Sequence, residues 1–159
     1  MTKQDKAIKL IKKGNFLDAA ELLSELEASA VTNPQELKDY FTKWMYKKVE
    51  YFLVCTLTDD SKIIRIYEVS KGTVNTTQVH ARDVFRPAIL DNATGIIIAH
   101  NHPTGDLTFS RQDIRTTMNL EKAGKILRIP LVDSIIISHG EIASALESGV
   151  LKEKRAVIK

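Results

Sequence analysis

Through the first 48 residues the apolar positions recur at three- and four-residue intervals. Ala7, Ile8, Leu10 and Ile11 form one stripe, and Phe16, Leu17, Ala20, Leu23 and Leu26 form a second, with Gly14-Asn15 as a stop and turn between them. The pair predicts a helical hairpin over residues 3–30. Val31-Thr32-Asn33-Pro34 interrupts the pattern, with Asn33 suited to cap a helix and Pro34 to its first position. A further helix is expected over 34–48, with Leu37, Tyr40, Phe41, Trp44 and Met45 on one face.

From Glu50 the spacing changes. Tyr51–Leu57 is aromatic, β-branched and almost uninterrupted, the mark of a strand covered on both sides. Thr58-Asp59-Asp60-Ser61 is a turn, and Lys62–Val69 alternates imperfectly as a partner strand. Gly72 breaks it, and Thr73–Val79 is expected to form a short third strand. His80–Leu90 has helical spacing, with Pro87 as a defect that belongs near an end or a kink. Gly95–Ala99 is a short buried strand, and Ser110–Ala123 a helix that Gly124 is expected to close. Leu131–Ser138 is another buried strand, His139-Gly140 a turn and Glu141–Ala145 an edge strand. The alternation of strands and helices predicts an α/β (α+β) domain with a mixed sheet. The boundaries expected are a helical extension over 1–46, a domain over 47–151 and a frayed basic tail over 152–159.

Composition narrows the class. A chain of 159 residues, 43% hydrophobic and 27% charged, can bury a core of its own. No apolar run nears the roughly 20 residues of a membrane span, and the cationic N-terminus lacks the apolar core of a signal peptide. Cys55, the single cysteine, excludes an internal disulfide and falls in a buried strand as an inert thiol. These features point to a reducing cytoplasm. A net charge of +3 does not by itself imply nucleic acid as a partner.

The candidate chemistry lies between Gly95 and Asp113. On an extended chain His100 and His102 project to the same side, and Asn101 turns away. Asp113, in the first turn of the next helix, can join them. Two imidazoles and one carboxylate leave a fourth position open on a tetrahedral zinc ion, the pattern of a catalytic site. The competing reading needs no metal, since Ser110-x-x-Asp113 is also a capping box. The two are compatible, because a helix start favours a carboxylate.

His100-x-His102, seven residues, Ser110, two residues, Asp113 resembles the signature of the JAMM/MPN metallopeptidases. The wider text, with AHNHPTGD and IPLVDSIII, resembles the RadC branch of that superfamily, from about Glu50 to Leu151. The resemblance implies a curved mixed sheet flanked by helices, and a peptide or protein substrate. It also implies zinc on His100, His102 and Asp113, with Ser110 helping to stabilise an oxyanion. A glutamate from an upstream strand would serve as general acid and base. Glu50, which opens the first strand, is the candidate where the family places this group, and Glu68 is the alternative.

The chain departs from RadC-like proteins in two ways. Ser134 stands where they usually have histidine, and the first ~45 residues do not resemble their helix-hairpin-helix region. His80 and His139 lie outside the motif and are expected to be structural. The RadC resemblance also raises a DNA-repair-associated or nucleic-acid-processing role, or a scaffold without activity. Arg65, Lys71, Arg82, Arg86, Arg111 and Arg115 are interleaved with acids and lack an aromatic stacking pattern, which favours a solvated surface. The complete His-His-Asp-Ser set argues against the scaffold. An HExxH zincin is excluded by the absence of that run, and a zinc deaminase by the single cysteine.

Overall fold

The run of apolar residues after Glu50 becomes β1 (Glu50–Leu57), whose last five residues are all buried. It lies inside a sheet because it has neighbours on both sides. The computed structural model describes residues 1, 3–19, 31, 33–72 and 79–152. Most of the second hairpin helix, all but the last residue of the strand expected over 73–79 and the tail from 153 onward fall outside the described residues.

α1 spans Lys3–Lys12, and the chain leaves it through Gly14 at φ +77°, as a helix-stop glycine does. Asn33 and Pro34 act as expected: the Asn33 side chain accepts from the Gln35 N–H, and Pro34 starts the turn. The helix expected over 34–48 is shorter and of two kinds, a 3-10 turn at Pro34–Leu37 followed by α2 at Lys38–Met45. β2 follows at Ile63–Gly72, α3 at Ala81–Leu90 and β3 at Gly95–Asn101. α4 (Arg111–Leu127), β4 (Leu131–Ser138) and β5 (Glu141–Ser144) complete the order.

The strands form one mixed sheet in the order β2-β1-β3-β4-β5. β1 is antiparallel to both β2 and β3, β3 and β4 run parallel, and β4 and β5 are antiparallel. The parallel pair requires a crossover, which α4 supplies. The imperfect alternation of β2 has a simple cause. Two irregularities in its pairing with β1, at Phe52/Leu53 and Thr56/Leu57, each insert one extra β2 residue and reverse the facing of those beyond it.

Helices cover both faces. Leu53, Cys55, Ile97, Ala99, Ile135 and Ile137 meet Phe41, Trp44 and Met45 of α2 in one core. Val54, Ile96 and Ile98 meet Val84, Phe85 and Ala88 of α3 and Leu120 of α4 in the other. Removing apolar surface of this kind from water contributes about 25 cal/mol per Å². Continuous apolar runs, rather than alternating ones, are what a doubly covered sheet demands. Cys55 is buried as expected, and burial pushes its thiol up to about 12.

Pro87 lies in the last turn of α3, near the end as expected. One helix expectation is corrected. Gly124 does not close α4, which continues to Leu127 and ends at Arg128 in the left-handed conformation. Gly124 is instead a close-approach residue: a Cβ there would lie 2.6 Å from the Ile129 carbonyl oxygen.

Candidate metal centre

β3 ends by delivering two imidazoles to one place. His100 lies in the strand, paired with Phe52 of β1 and Ile136 of β4. His102 follows it, its N–H donating to the Ile137 carbonyl and its own carbonyl accepting from the Ser138 hydroxyl at 2.6 Å. Two of the three backbone contacts of His102 thus come from the end of β4; the third is the Gly105 N–H, which donates to the same carbonyl at 3.1 Å. The side chains converge as the two-residue spacing predicts, with their Nε2 atoms 3.0 Å apart.

Asp113 completes the cluster from the start of α4. One of its oxygens lies 3.1 Å from His100 Nε2 and the other 3.5 Å from His102 Nε2. The capping box is also present, Ser110 accepting from the Asp113 N–H and Asp113 accepting from the Ser110 N–H. Capping and clustering therefore use the same carboxylate. The box fixes where the carboxylate stands, and the loop between His102 and Ser110 brings it to the imidazoles.

His102 Nδ1 lies 2.6 Å from the Asp106 carbonyl oxygen. A carbonyl only accepts, so Nδ1 carries the proton and a neutral His102 turns the Nε2 lone pair to the cluster. The hydrogen bond to Asp113 raises the His102 pKa; burial opposes this and the Asp106 carbonyl supports it. Burial alone would push the Asp113 carboxyl up. The hydrogen bonds from His100 and His102 outweigh it and hold the group well below the usual carboxylate range. His100, 8% exposed, stacks on Phe52 with ring centroids 6.1 Å apart. Its Nδ1 is buried with no hydrogen-bond partner among the described residues.

The donor set fits a divalent metal ion. An ion with bonds of 2.0–2.1 Å in tetrahedral geometry spaces its ligand atoms about 3.3 Å apart. The two Nε2 atoms, 3.0 Å apart, are close to that value, and each lies near a different Asp113 oxygen, at 3.1 and 3.5 Å; with one ligand atom from each residue the three lie within 4.8 Å of one another. Among the described residues this is the one group of three or more His, Cys, Asp or Glu side chains close enough to share an ion.

The cluster opens into a cleft of about 400 Å³ that Glu50 and Ser110 also line. Glu68 does not line it. It is paired with Leu53, which packs against α2, and accepts from Trp44 Nε1 at 2.9 Å and Lys43 Nζ at 3.4 Å. The Trp44 hydrogen bond lowers its pKa. Glu68 is thus committed to the helix on the other side of the sheet. His80 occupies the cap position of α3 but makes no capping hydrogen bond. His139 stacks on Tyr46 in the β4–β5 turn. Neither belongs to the cluster.

Asn101 has a role that its neighbours in sequence conceal. Turned away from the imidazoles, its amide is fully buried, accepts from the Tyr51 N–H at 2.6 Å and donates to the Val49 carbonyl at 2.9 Å. These are the peptide groups on either side of Glu50. One side chain between the two histidines therefore fixes the backbone that carries the upstream carboxylate. The signal available in the sequence is that an amide interrupts an otherwise apolar strand at a position facing the core.

A family model described as a RadC-like JAB domain matches residues 31–150. A UPF0758 protein of Pelobacter propionicus is 45% identical over 121 residues, covering 76% of this chain and 53% of its own length. UPF0758 proteins from two Staphylococcus aureus strains are each 40% identical over 124 residues, covering 77% of this chain and 54% and 57% of their own lengths. The chain spans about half the length of these curated relatives.

Proposed function

This chain belongs to the RadC-like JAB domain family, and on that footing we propose that it is a zinc-dependent hydrolase of amide bonds, peptide or isopeptide. The observation that carries the proposal is the convergence of His100 Nε2, His102 Nε2 and the Asp113 carboxylate, one ligand atom from each within 4.8 Å of the others, on a cleft that also holds a carboxylate and a hydroxyl. His100, His102 and Asp113 would hold the ion through Nε2, Nε2 and a carboxylate oxygen. When bound, zinc supplies Lewis acidity, making a water nucleophilic near neutral pH and polarising the scissile carbonyl.

The remaining steps belong to the chain. Glu50 accepts the proton of the attacking water and passes it to the departing nitrogen as the C–N bond breaks, so that the nitrogen leaves as an amine and not as an amide anion. Asn101 serves this step indirectly, by fixing the backbone on both sides of Glu50. Ser110 Oγ accepts from the Asp113 N–H at 3.0 Å, which leaves the hydroxyl proton free to donate to the developing oxyanion. The Asp106 carbonyl keeps the proton on Nδ1 of His102, so that Nε2 remains a ligand.

Metal analysis of the purified protein should find about one zinc per chain, and none in His100→Ala/His102→Ala. Zinc retained in the double variant would refute the site. Profiling on a peptide library should show hydrolysis by the zinc-loaded protein that falls by about a hundredfold or more in Glu50→Gln. Equal rates would remove Glu50 from the chemistry.

A further inference from the structure

The cleft does not stop at the ligand cluster. Its wall continues to Phe52, Ile98, Val79, Thr117 and Ser134. Ile98 and Ser134 are paired across β3 and β4, so they sit side by side. Thr117 and Ser134 are each only 1% exposed, yet both face this space.

Two rulers place them relative to the cluster. Thr117 is one helical turn beyond Asp113, about 6 Å along α4 at 1.5 Å per residue. Ile98 is two residues before His100 on the same face of β3, about 7 Å along the strand. Both give the same depth, about the reach of one extended medium-length side chain.

The hydroxyls have capacity to spare. Thr117 Oγ1 and Ser134 Oγ lie 3.0 Å apart and share one hydrogen bond. Among the described residues neither hydroxyl has another partner. Two hydroxyls carry two protons and four lone pairs, and this bond uses one of each. One O–H donor and several lone pairs thus remain at an inner wall whose other members are apolar. A buried donor without a partner is costly. A group that brings both an acceptor and a donor removes that cost.

We infer that the Thr117–Ser134 pair forms the floor of a specificity subsite for a neutral, amide-tipped substrate side chain, glutamine by its reach. The inference rests on the amidase reading above for its placement beside the scissile bond. The glutamine carbonyl takes the free O–H, its NH₂ meets the spare lone pairs, and its methylenes lie against Ile98 and Phe52. A carboxylate tip is disfavoured, because Glu50 and Asp113 line the same cleft. An ammonium tip only donates, so it leaves the free O–H of the pair without an acceptor. A wholly apolar side chain leaves the donor unmatched.

The test uses binding, which needs no turnover. N-acetyl-glutamine methylamide and N-acetyl-norleucine methylamide are titrated separately into the isotopically labelled, zinc-loaded protein and followed by amide NMR. The glutamine probe is expected to shift the signals of Ile98, Thr117 and Ser134 and to bind about tenfold more tightly than the norleucine probe. In Ser134→Ala/Thr117→Val that advantage should vanish with zinc content unchanged. Equal affinity of the two probes for the unmodified protein, or shifts confined to residues away from this wall, overturns the subsite. That comparison decides the matter even if the double variant does not fold. A Glu50→Gln protein that hydrolyses peptides at the normal rate would overturn the amidase reading while leaving the probe preference intact, so the two failures are distinct.

Discussion

Asp113 and Asp133 are both largely withdrawn from solvent, and both tie neighbouring elements together, yet their surroundings are opposite. Asp133, 3% exposed, accepts from the Ser134 N–H at 2.8 Å, the Leu146 N–H at 3.0 Å and the Ser144 hydroxyl. Burial raises its pKa against these three hydrogen bonds, which lower it. Asp113 faces two imidazoles, and its pKa is driven down despite its burial. The partners of Asp133 do not ionise near neutral pH, so that carboxylate fastens β5 and the turn after it to β4. The partners of Asp113 are imidazole nitrogens, whose lone pairs can serve a metal ion. The difference teaches what separates a structural carboxylate from a proposed ligand: the partners, more than the depth of burial.

The sharpest way to break this comparison is to remove each carboxylate in turn. Asp113→Ala should lose its zinc completely, while the metal-free fold loses the cap contribution, about 0.5–1 kcal/mol, together with the hydrogen bonds from His100 and His102. Asp133→Ala should keep its zinc and lose about 2–4 kcal/mol, since two backbone N–H groups and a hydroxyl are left buried without an acceptor. Metal analysis and urea unfolding in chelator read the two effects. Zinc retained by the first variant, or a fold unharmed in the second, would collapse the distinction.

A smaller effect is expected at the support behind the histidines. Ser138→Ala removes one of the two donors to the His102 carbonyl and leaves the Gly105 N–H. It should weaken zinc binding by about tenfold, the lower end for an outer-shell contact, and cost about 1 kcal/mol of stability. Competition with a chromogenic chelator measures the first. Unchanged affinity would show that the β4 contact does not position His102.

The smallest effect is a slope. The folded pKa of Asp133 is raised, so its contribution to stability is fully present below the unfolded value of about 4 and is lost as pH rises through the folded value. The folded pKa of Asp113 is depressed, so in the metal-free protein its contribution is present above about pH 4 and lost as pH falls. Asp133→Asn should therefore gain stability relative to the parent as pH rises from about 4 towards 7, in unfolding experiments with chelator present. A constant difference across that range would show that Asp133 does not titrate as its burial requires.

The sheet was largely legible because covered strands declare themselves. Leu131–Ser138 is β4 to the residue, and Glu50, Gly95 and Glu141 begin their strands where the spacing changes. Convergence of His100, His102 and Asp113 was equally legible, since strand parity and a capping box are local rules. Other features depend on partners far along the chain. Gly124 offers the same letter as a helix stop, but its reason is the Ile129 carbonyl beside it. Glu50 and Glu68 both sit at strand positions, and only pairing across the sheet sends Glu68 to Trp44 and leaves Glu50 in the cleft. The bracing of Glu50 by Asn101 spans about fifty residues, beyond any local pattern.

That span also has a consequence for the order of assembly. The three proposed ligands fall within fourteen consecutive positions, 100 to 113. Such a segment can gather a zinc ion after closing a short loop, at little entropic expense and before most of the chain is organised. Binding of that kind to the unfolded chain subtracts from the stabilisation that zinc gives the native state. Glu50 joins only when β1 docks on β3, a contact that must wait for the slower closure of the β2 and α3 excursion. Nascent chains would then pass through a stage that holds metal but has no proton carrier, and hydrolysis would begin only when the central strands close.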